Sequence, residues 1–171
     1  MELILKPLLD KDIALFSRWL NKGYIYKWFC PDGDEYRVAW LDEVNNRNTL
    51  YSHMKHFIVH YNDVPIGFCL YMDCFFEPEY ITEHYGITVD KEGIVFEIGY
   101  LIGEEEYLNK GIGKLIVRKL EETIAAIGGK EILADPDEKN IASIKTLLNN
   151  GFVKIKNGDY RKRISQSVPL E

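Results

Sequence analysis

Apolar residues recur along this chain with two different spacings, which predict strands and helices respectively. Short apolar runs bounded by glycine, proline or asparagine are typical of strands, whereas apolar residues three or four positions apart are typical of amphipathic helices. We expect strands at 3–8, 54–61, 64–71, 93–102, 131–135, 152–156 and 160–164. We expect helices at 34–47, 111–127 and 140–150, and another that is capped by Asp10 or Asp12 and ends near residue 21.

Two of these helices have a well-defined apolar face, and two other segments show no regular pattern. The residues expected to face the core are Ile112, Ile116, Leu120, Ile124 and Ile127 in the first helix, and Ile141, Ile144 and Leu148 in the second. The segment 24–29 is aromatic but irregular. The segment 73–92 is polar and aromatic, and we expect a long loop there, which in a compact domain is usually functional or mobile.

The order of the predicted elements, β-α-α-β-β-β-α-β-α-β-β, indicates an α/β (α+β) fold. We expect a mixed, mostly antiparallel central sheet with helices on both faces. The length of 171 residues favours one domain, which we place at 1–165 with a C-terminal tail at 166–171.

Composition and charge narrow the function classes. The formal net charge of −6 argues against nucleic acid as a partner and is compatible with a cationic substrate. No apolar run is long enough to cross a bilayer, so we expect no membrane partner. The three cysteines lack metal or disulfide spacing, which favours a reduced, cytoplasmic setting. We expect a monomer or a homodimer.

The turn Asn109-Lys110-Gly111-Ile112-Gly113-Lys114 leads directly into the predicted helix 111–127. A glycine turn at a helix N-terminus presents free backbone N–H groups and the positive end of the helix dipole, and this arrangement suits a phosphate or pyrophosphate. The turn lacks the Gly-Lys-Ser/Thr ending of a nucleotide-hydrolase P-loop, and it lacks the third glycine of a dinucleotide-binding turn.

A block of negative charge precedes that turn. Between residues 73 and 106 a single basic residue, Lys91, stands among ten acidic residues: Asp73, Glu77, Glu79, Glu83, Asp90, Glu92, Glu97, Glu104, Glu105 and Glu106. Such a block is either a solvated loop or a surface that attracts a polyamine-like or aminoglycoside cation.

Several motifs together resemble a known family. The strand, acidic loop, glycine turn and helix, followed by Asn-x-x-Ser-x-x-x-Leu-x-x-x-Gly-Phe at 140–152, resemble the coenzyme A-binding half of GNAT N-acetyltransferases. The segments 18–21, 26–29, 64–68 and 102–104 are similar to the aminoglycoside 6'-N-acetyltransferase branch of that superfamily. The resemblance therefore extends over nearly the whole chain and implies acetyl-CoA (coenzyme A) as the cofactor.

The resemblance also implies where acetyl-CoA binds. Its pyrophosphate is expected on the turn, and its pantetheine arm is expected to pair with the strand that ends at residue 102 and to contact a side chain of the last helix. The residues implied in cofactor binding are Leu101, Ile102, Leu108, Asn109, Lys110, Gly111, Ile112, Gly113, Lys114 and Asn140.

The chemistry requires a group that removes a proton from the amine, and a carboxylate suits this role. Glu97 lies in an otherwise apolar strand, where a carboxylate is costly unless it is paired or functional. The branch carries an aspartate at the position of Gly99, which lies on the same strand face as Glu97. The leaving-group tyrosine of the family is replaced by Leu147. Either the thiolate leaves without a strong acid, or another tyrosine such as Tyr100 or Tyr107 takes that role; we select Glu97 and Tyr100 as the catalytic candidates.

For the acceptor we expect a primary amine of a small, aminoglycoside-like polycation, bound by Trp28, Asp73, Glu79, Gly99 and Asp135. The alternatives are a protein N-terminus, a polyamine or a siderophore precursor as acceptor, or a catalytically weak CoA-binding module. His53, His56 and His60 have no carboxylate beside them in a metal-binding spacing, so we expect no metal site.

Overall fold

Seven strands and six helices make up the part of the chain that the computed structural model describes, residues 2–165. The strands are β1 (Leu3–Pro7), β2 (Met54–Tyr61), β3 (Val64–Asp73), β4 (Val95–Ile102), β5 (Glu131–Ala134), β6 (Val153–Lys154) and β7 (Tyr160–Arg163). The helices are α1 (Ile13–Leu20), α2 (Gly23–Phe29), α3 (Asp34–Asn45), α4 (Pro78–Tyr85), α5 (Ile112–Ala126) and α6 (Ile141–Asn149).

The strands form one mixed sheet in the order β1-β2-β3-β4-β5-β7-β6. The pairs β1–β2, β5–β7 and β6–β7 are antiparallel, whereas β4–β5 is parallel. Asn62 and Asp63, at the β2–β3 turn, both have positive φ, which is the geometry of a two-residue hairpin turn. This confirms the predicted mixed, mostly antiparallel α/β class.

Two compact units divide the chain. Of the described residues, the first unit comprises 2–70 and Gly99–Ile116, and the second comprises Tyr71–Ile98 and 117–165. The expectation of one domain over 1–165 stays a prediction, and the expected tail at 166–171 lies outside the described residues.

The first unit has an aromatic core. Phe16 of α1 stacks on Phe68 of β3 with ring centroids 4.2 Å apart, and Trp40 of α3 packs edge-on against both. Trp19 and Leu20 are fully buried beside them. Aromatic pairs of this kind bury large apolar areas, so α1 and α3 are fixed against the strands by the spacing of these few residues.

Several predicted elements were wrong in detail. The aromatic segment 24–29 is helical, and the expected loop 73–92 contains a 3-10 turn at Cys74–Phe76 and the helix α4. Ile127 is 53% exposed because it lies beyond the end of α5. In α6 the predicted face was also wrong, since Ile141 and Leu148 are exposed and Leu147 is buried.

Candidate active site

Glu97 lies in the middle of β4, opposite Leu133 of the parallel strand β5. Two tyrosine hydroxyls donate to the same oxygen of its carboxylate: Tyr80 at 2.9 Å and Tyr85 at 2.5 Å from Oε2. A carboxylate among apolar strand residues is costly unless donors satisfy it, and these two hydroxyls supply that compensation.

The helix α4 positions both tyrosines. It begins with Pro78 at its first turn, where the missing N–H of proline is not needed, and ends at Gly86, whose φ of 69° gives the left-handed cap. Ile81 is 1% exposed and Tyr85 is 3% exposed, so one face of the helix is anchored in the core of the second unit. Tyr80 lies at the edge of this face and is 37% exposed.

Two further carboxylates meet at His84 of the same helix. His84 Nε2 lies 3.1 Å from Asp135 Oδ2 and 3.7 Å from Asp159 Oδ1. Asp135 immediately follows β5, and Asp159 precedes β7 in the turn between the last two strands. The ring of His84 stacks on that of Tyr80, with centroids 5.3 Å apart and an interplanar angle of 22°. We refer to Glu97, Asp135 and Asp159 as the carboxylate cluster.

The carboxylates of this cluster hold their protons more tightly than isolated ones. Burial, followed by repulsion from Asp135, raises the pKa of Glu97 to about 8, although the hydrogen bonds from Tyr85 and Tyr80 oppose the shift. Burial also raises the pKa of Asp135 to about 6, with the charge of His84 acting in the opposite direction. Burial raises the pKa of Asp159 as well, again against the effect of His84. A pKa near neutrality is what a general base requires.

The predicted phosphate turn lies in the first unit and is open. Asn109 and Gly111 have φ values of 59° and 75°, and Asn109, Lys110 and Gly111 are exposed. The helix α5 starts at Ile112 and runs for 15 residues. Because its first-turn N–H groups have no intrahelical partners, they offer donors to an anion, and Lys110 and Lys114 add positive charge. These residues fit the pyrophosphate of acetyl-CoA.

The end of β4 is irregular where it leads toward this turn. The consecutive N–H groups of Gly103 and Glu104 both donate to the carbonyl of Ile66, at 2.7 and 3.2 Å, which is the two-against-one pattern of a β-bulge. Opposite it, Gly67 is so close to Leu101 that a Cβ there would overlap the Leu101 carbonyl. Leu101 is buried, and the Ile102 carbonyl accepts a hydrogen bond from the Tyr24 hydroxyl.

Asn140, the predicted pantetheine contact, caps α6. Its Oδ1 accepts a hydrogen bond from the Ser143 N–H at 3.2 Å. This bond uses the carbonyl end of the side chain, so the amide NH₂ group is the part that a ligand can use.

The other predicted residues have varied environments. Gly99 has space for a Cβ, which would lie 3.4 Å from the Leu70 side chain. Asp73 uses both oxygens on backbone N–H groups, those of Phe75 and Gly93. Trp28 is half-buried under the Lys27 ammonium. The last two, Glu79 and Tyr100, are exposed and half-buried respectively. The predicted site roles stay predictions.

Sequence reasoning missed Asp159 of the carboxylate cluster and the three residues of α4 that contact the cluster. Tyr80, His84 and Tyr85 fall in the expected loop 73–92, and Asp159 falls between the expected strands 152–156 and 160–164. A signal was present: Pro78, the apolar Ile81 and the Tyr85-Gly86 ending fit a short helix, on which residues three and four positions apart, such as Tyr80 and His84, lie close together.

The chain belongs to the GNAT acetyltransferase family, whose domain model matches residues 8–160. It is therefore an N-acetyltransferase of a family whose cofactor is acetyl-CoA. Glu97 and the turn 109–114 both lie within the matched region.

Solved structures with similar folds cover 95% of the chain. Aminoglycoside acetyltransferase AAC(6')-Ib in complex with coenzyme A is 21% identical over 95% of its own chain, with a TM-score of 0.70. The same enzyme in complex with ribostamycin and coenzyme A is 22% identical over 94% of its own chain, with a TM-score of 0.72. An aminoglycoside N(6')-acetyltransferase from Legionella pneumophila is 15% identical over 94% of its own chain, with a TM-score of 0.68. At these identities the comparison shows the fold.

Residues 2–165 contain neither a membrane-spanning helix nor a metal-binding cluster. None of their helices is long and apolar enough to cross a membrane. Over the same residues no group of three or more His, Cys, Asp or Glu side chains is arranged to hold a metal ion.

Proposed function

We propose that this N-acetyltransferase transfers the acetyl group of acetyl-CoA directly to a primary amine of a small polycation of the aminoglycoside type. The observation that carries the proposal is the carboxylate cluster, in which burial, Asp135 and Asp159 raise the pKa of Glu97, and burial and Asp159 raise the pKa of Asp135. Such carboxylates are stabilised by a cation that brings more than one positive charge.

The charge balance of the cluster supports a polycation over a monoamine. The cluster has three carboxyl groups and one imidazole, that of His84, which lies beside Asp135 and Asp159, whereas the hydroxyls on Glu97 are neutral donors. One ammonium compensates one carboxylate, so a second ammonium on the same acceptor gains a further favourable interaction. The similar folds of AAC(6')-Ib and of the Legionella pneumophila enzyme agree with this acceptor class.

The phosphate turn supports acetyl-CoA binding by this chain. We assign the pyrophosphate to the backbone N–H groups of the turn and to Lys110 and Lys114, with Leu101, Ile102, Leu108 and Asn140 along the pantetheine arm. The cofactor supplies an acetyl thioester, whose carbonyl carbon accepts the amine.

Glu97 is the proposed proton acceptor. An ammonium cannot attack a thioester, so its proton must first pass to a base. The carboxylate of Glu97 is ionised above a pKa of about 8, where it can take this proton while the tyrosine hydroxyls hold its other oxygen.

A thiol-release assay with an amine panel tests the acceptor class. The panel contains kanamycin, ribostamycin, a linear polyamine, a peptide with a free N-terminus and a simple monoamine, each with acetyl-CoA. We expect the aminoglycosides to accelerate CoA release most, with acetylation at the 6'-amine identified by NMR of the product. Acceleration only by the polyamine or only by the peptide would assign a different acceptor. If no amine is acetylated while CoA still raises the melting temperature, the chain is a CoA-binding module.

A matched pair of variants links the result to the cluster. Asp135→Asn should raise KM for the polycation about tenfold, the size expected for one well-placed charge pair, and should barely change KM for the monoamine. Glu83→Gln removes an exposed carboxylate from α4 and serves as the control.

A further inference from the structure

Two phenol groups from one short helix donate hydrogen bonds to the same oxygen of the proposed base. Tyr80 and Tyr85 are five positions apart on α4, and both O–H groups donate to Oε2 of Glu97. A carboxylate has two oxygens, each with two lone pairs, so a side chain that only needed neutralising could be satisfied in many ways. Convergence of both donors on Oε2 fixes the carboxylate plane and leaves Oε1 outside this interaction.

The two phenols are themselves held in place. The rings of Tyr80 and Tyr85 lie 6.4 Å apart and perpendicular, and His84 packs against both of them. Pro78 and the left-handed cap at Gly86 define the ends of the helix. Edge-to-face and stacked ring contacts restrict side-chain rotation, so the hydroxyls have little freedom to leave Glu97.

We propose that Tyr85 and Tyr80 are positioning residues for acetyl transfer: they hold Oε2 of Glu97 and thereby present Oε1 to the proton of the acceptor amine. This proposal rests on the proposed role of Glu97 as proton acceptor. Neither tyrosine gives up its proton in the reaction, because each hydroxyl remains a donor to Oε2 throughout.

The proton balance of the step is complete without another reactant. The acceptor ammonium gives one proton to Glu97 Oε1, a C–N bond forms at the acetyl carbon and the C–S bond breaks with its electron pair leaving on sulfur. A second proton leaves nitrogen and the sulfur takes one up, so an ammonium and acetyl-CoA give an amide, the CoA thiol and one proton. Glu97 returns its proton to water.

The surroundings of Glu97 explain why its pKa depends on the hydrogen bonds from Tyr80 and Tyr85. The titratable groups around it are Tyr80, His84 and Tyr85 of α4, Asp135 after β5, Asp159 before β7 and the Cys74 thiol of the 3-10 turn. Burial and the two aspartates raise the pKa of Glu97, whereas the hydroxyls of Tyr85 and Tyr80 lower it. Removing one hydroxyl should therefore raise the pKa of Glu97 further.

The test is the pH profile of kcat/KM for Tyr85→Phe and Tyr80→Phe. Phenylalanine keeps the ring packing and removes only the hydroxyl. We expect the acid limb of the kcat/KM profile to move to higher pH by about one unit in Tyr85→Phe. At pH 7 this shift lowers kcat/KM about tenfold, and kcat/KM should recover at high pH. Tyr80→Phe should move it less, because its bond is longer and its ring more exposed. Tyr36→Phe, at an exposed position of α3, should leave the limb unchanged.

A direct titration separates this proposal from the role of Glu97. The side-chain carboxyl of Glu97, labelled with ¹³C, is titrated by NMR in the wild type and in both variants without substrate. A higher pKa in the variants supports the hydrogen-bond assignment, and unchanged pKa values and pH profiles overturn it. If Glu97→Gln stays fully active while the NMR shift is present, the role of Glu97 in the proposed function fails and the pairing with the tyrosines stands.

Discussion

The indole Nε1 of Trp19 donates a hydrogen bond to Glu104 Oε1 at 2.8 Å, joining residues 85 positions apart in the chain. The same carboxylate pairs with Arg18 and with Lys22, and Lys22 also donates to the Gly103 carbonyl. Burial acts against ionisation, but the Trp19 hydrogen bond and the charges of Lys22 and Arg18 lower the pKa of Glu104. These contacts hold α1 to the bulged end of β4, just before the phosphate turn.

Gly103→Ala should destabilise the first unit. A Cβ at this position would overlap the indole of Trp19, which is fully buried and cannot move without losing its hydrogen bond to Glu104. Overpacking of this kind costs about 1–3 kcal/mol. Urea denaturation should show this loss, whereas Gly23→Ala, with no atom within 4 Å of the new Cβ, should leave the stability nearly unchanged. Equal stabilities of the two variants would contradict the close packing at Gly103.

Glu97→Gln should slow turnover at neutral pH. Glutamine has the shape of glutamate but cannot take a proton from the ammonium, so kcat/KM should fall by about a hundredfold or more. Acetyl-CoA affinity, measured by calorimetry, should stay close to that of the wild type because the phosphate turn is unaltered. Glu83→Gln provides the control, and wild-type kinetics in Glu97→Gln would remove this residue from the mechanism.

Stability should depend on pH through Glu97. Its pKa is about 8 in the folded protein and about 4.3 in an unfolded chain, so between these values the folded state binds more protons. The free energy of unfolding should therefore fall as pH rises from 5 to 8, by at most about 1.4 kcal/mol per pH unit for this one proton. Urea titrations at pH 5, 6.5 and 8 measure the slope, and Glu97→Gln should reduce it. An unchanged slope in the variant would assign the pH dependence to other groups.

Most of the fold could be predicted from the sequence because its elements follow local rules. The adjacent strands expected at 54–61 and 64–71 and the apolar face of α5 depend on residues close together in the chain. Errors arose where tertiary packing decides. The α6 stripe has apolar residues at 147 and 148, and only packing against the other elements selects Leu147 for burial.

Single residues of the candidate site could be predicted from the sequence, but the contacts between them could not. A carboxylate in an apolar strand identifies Glu97, and a glycine turn before a helix identifies Gly111. The partners of Glu97 come from an eight-residue helix whose polar sequence resembles a loop, and isolated helices this short are marginal without tertiary contacts. The contact of His84 with Asp135 and Asp159 depends on where three chain segments meet, which spacing along the sequence does not encode.

Gly111→Val should abolish coenzyme A binding. At a φ of 75°, valine is strained by about 1–2 kcal/mol, and its side chain would fill the space that the pyrophosphate needs at the start of α5. Gly128→Val is the matched control, because Gly128 also has a positive φ, of 94°, and open space around its Cβ position. It lies just beyond the opposite end of the same helix. Both variants should lose similar stability in urea, but only Gly111→Val should lose CoA binding by calorimetry and the rise in melting temperature with added CoA. Equal CoA binding by the two variants would show that the phosphate is held elsewhere.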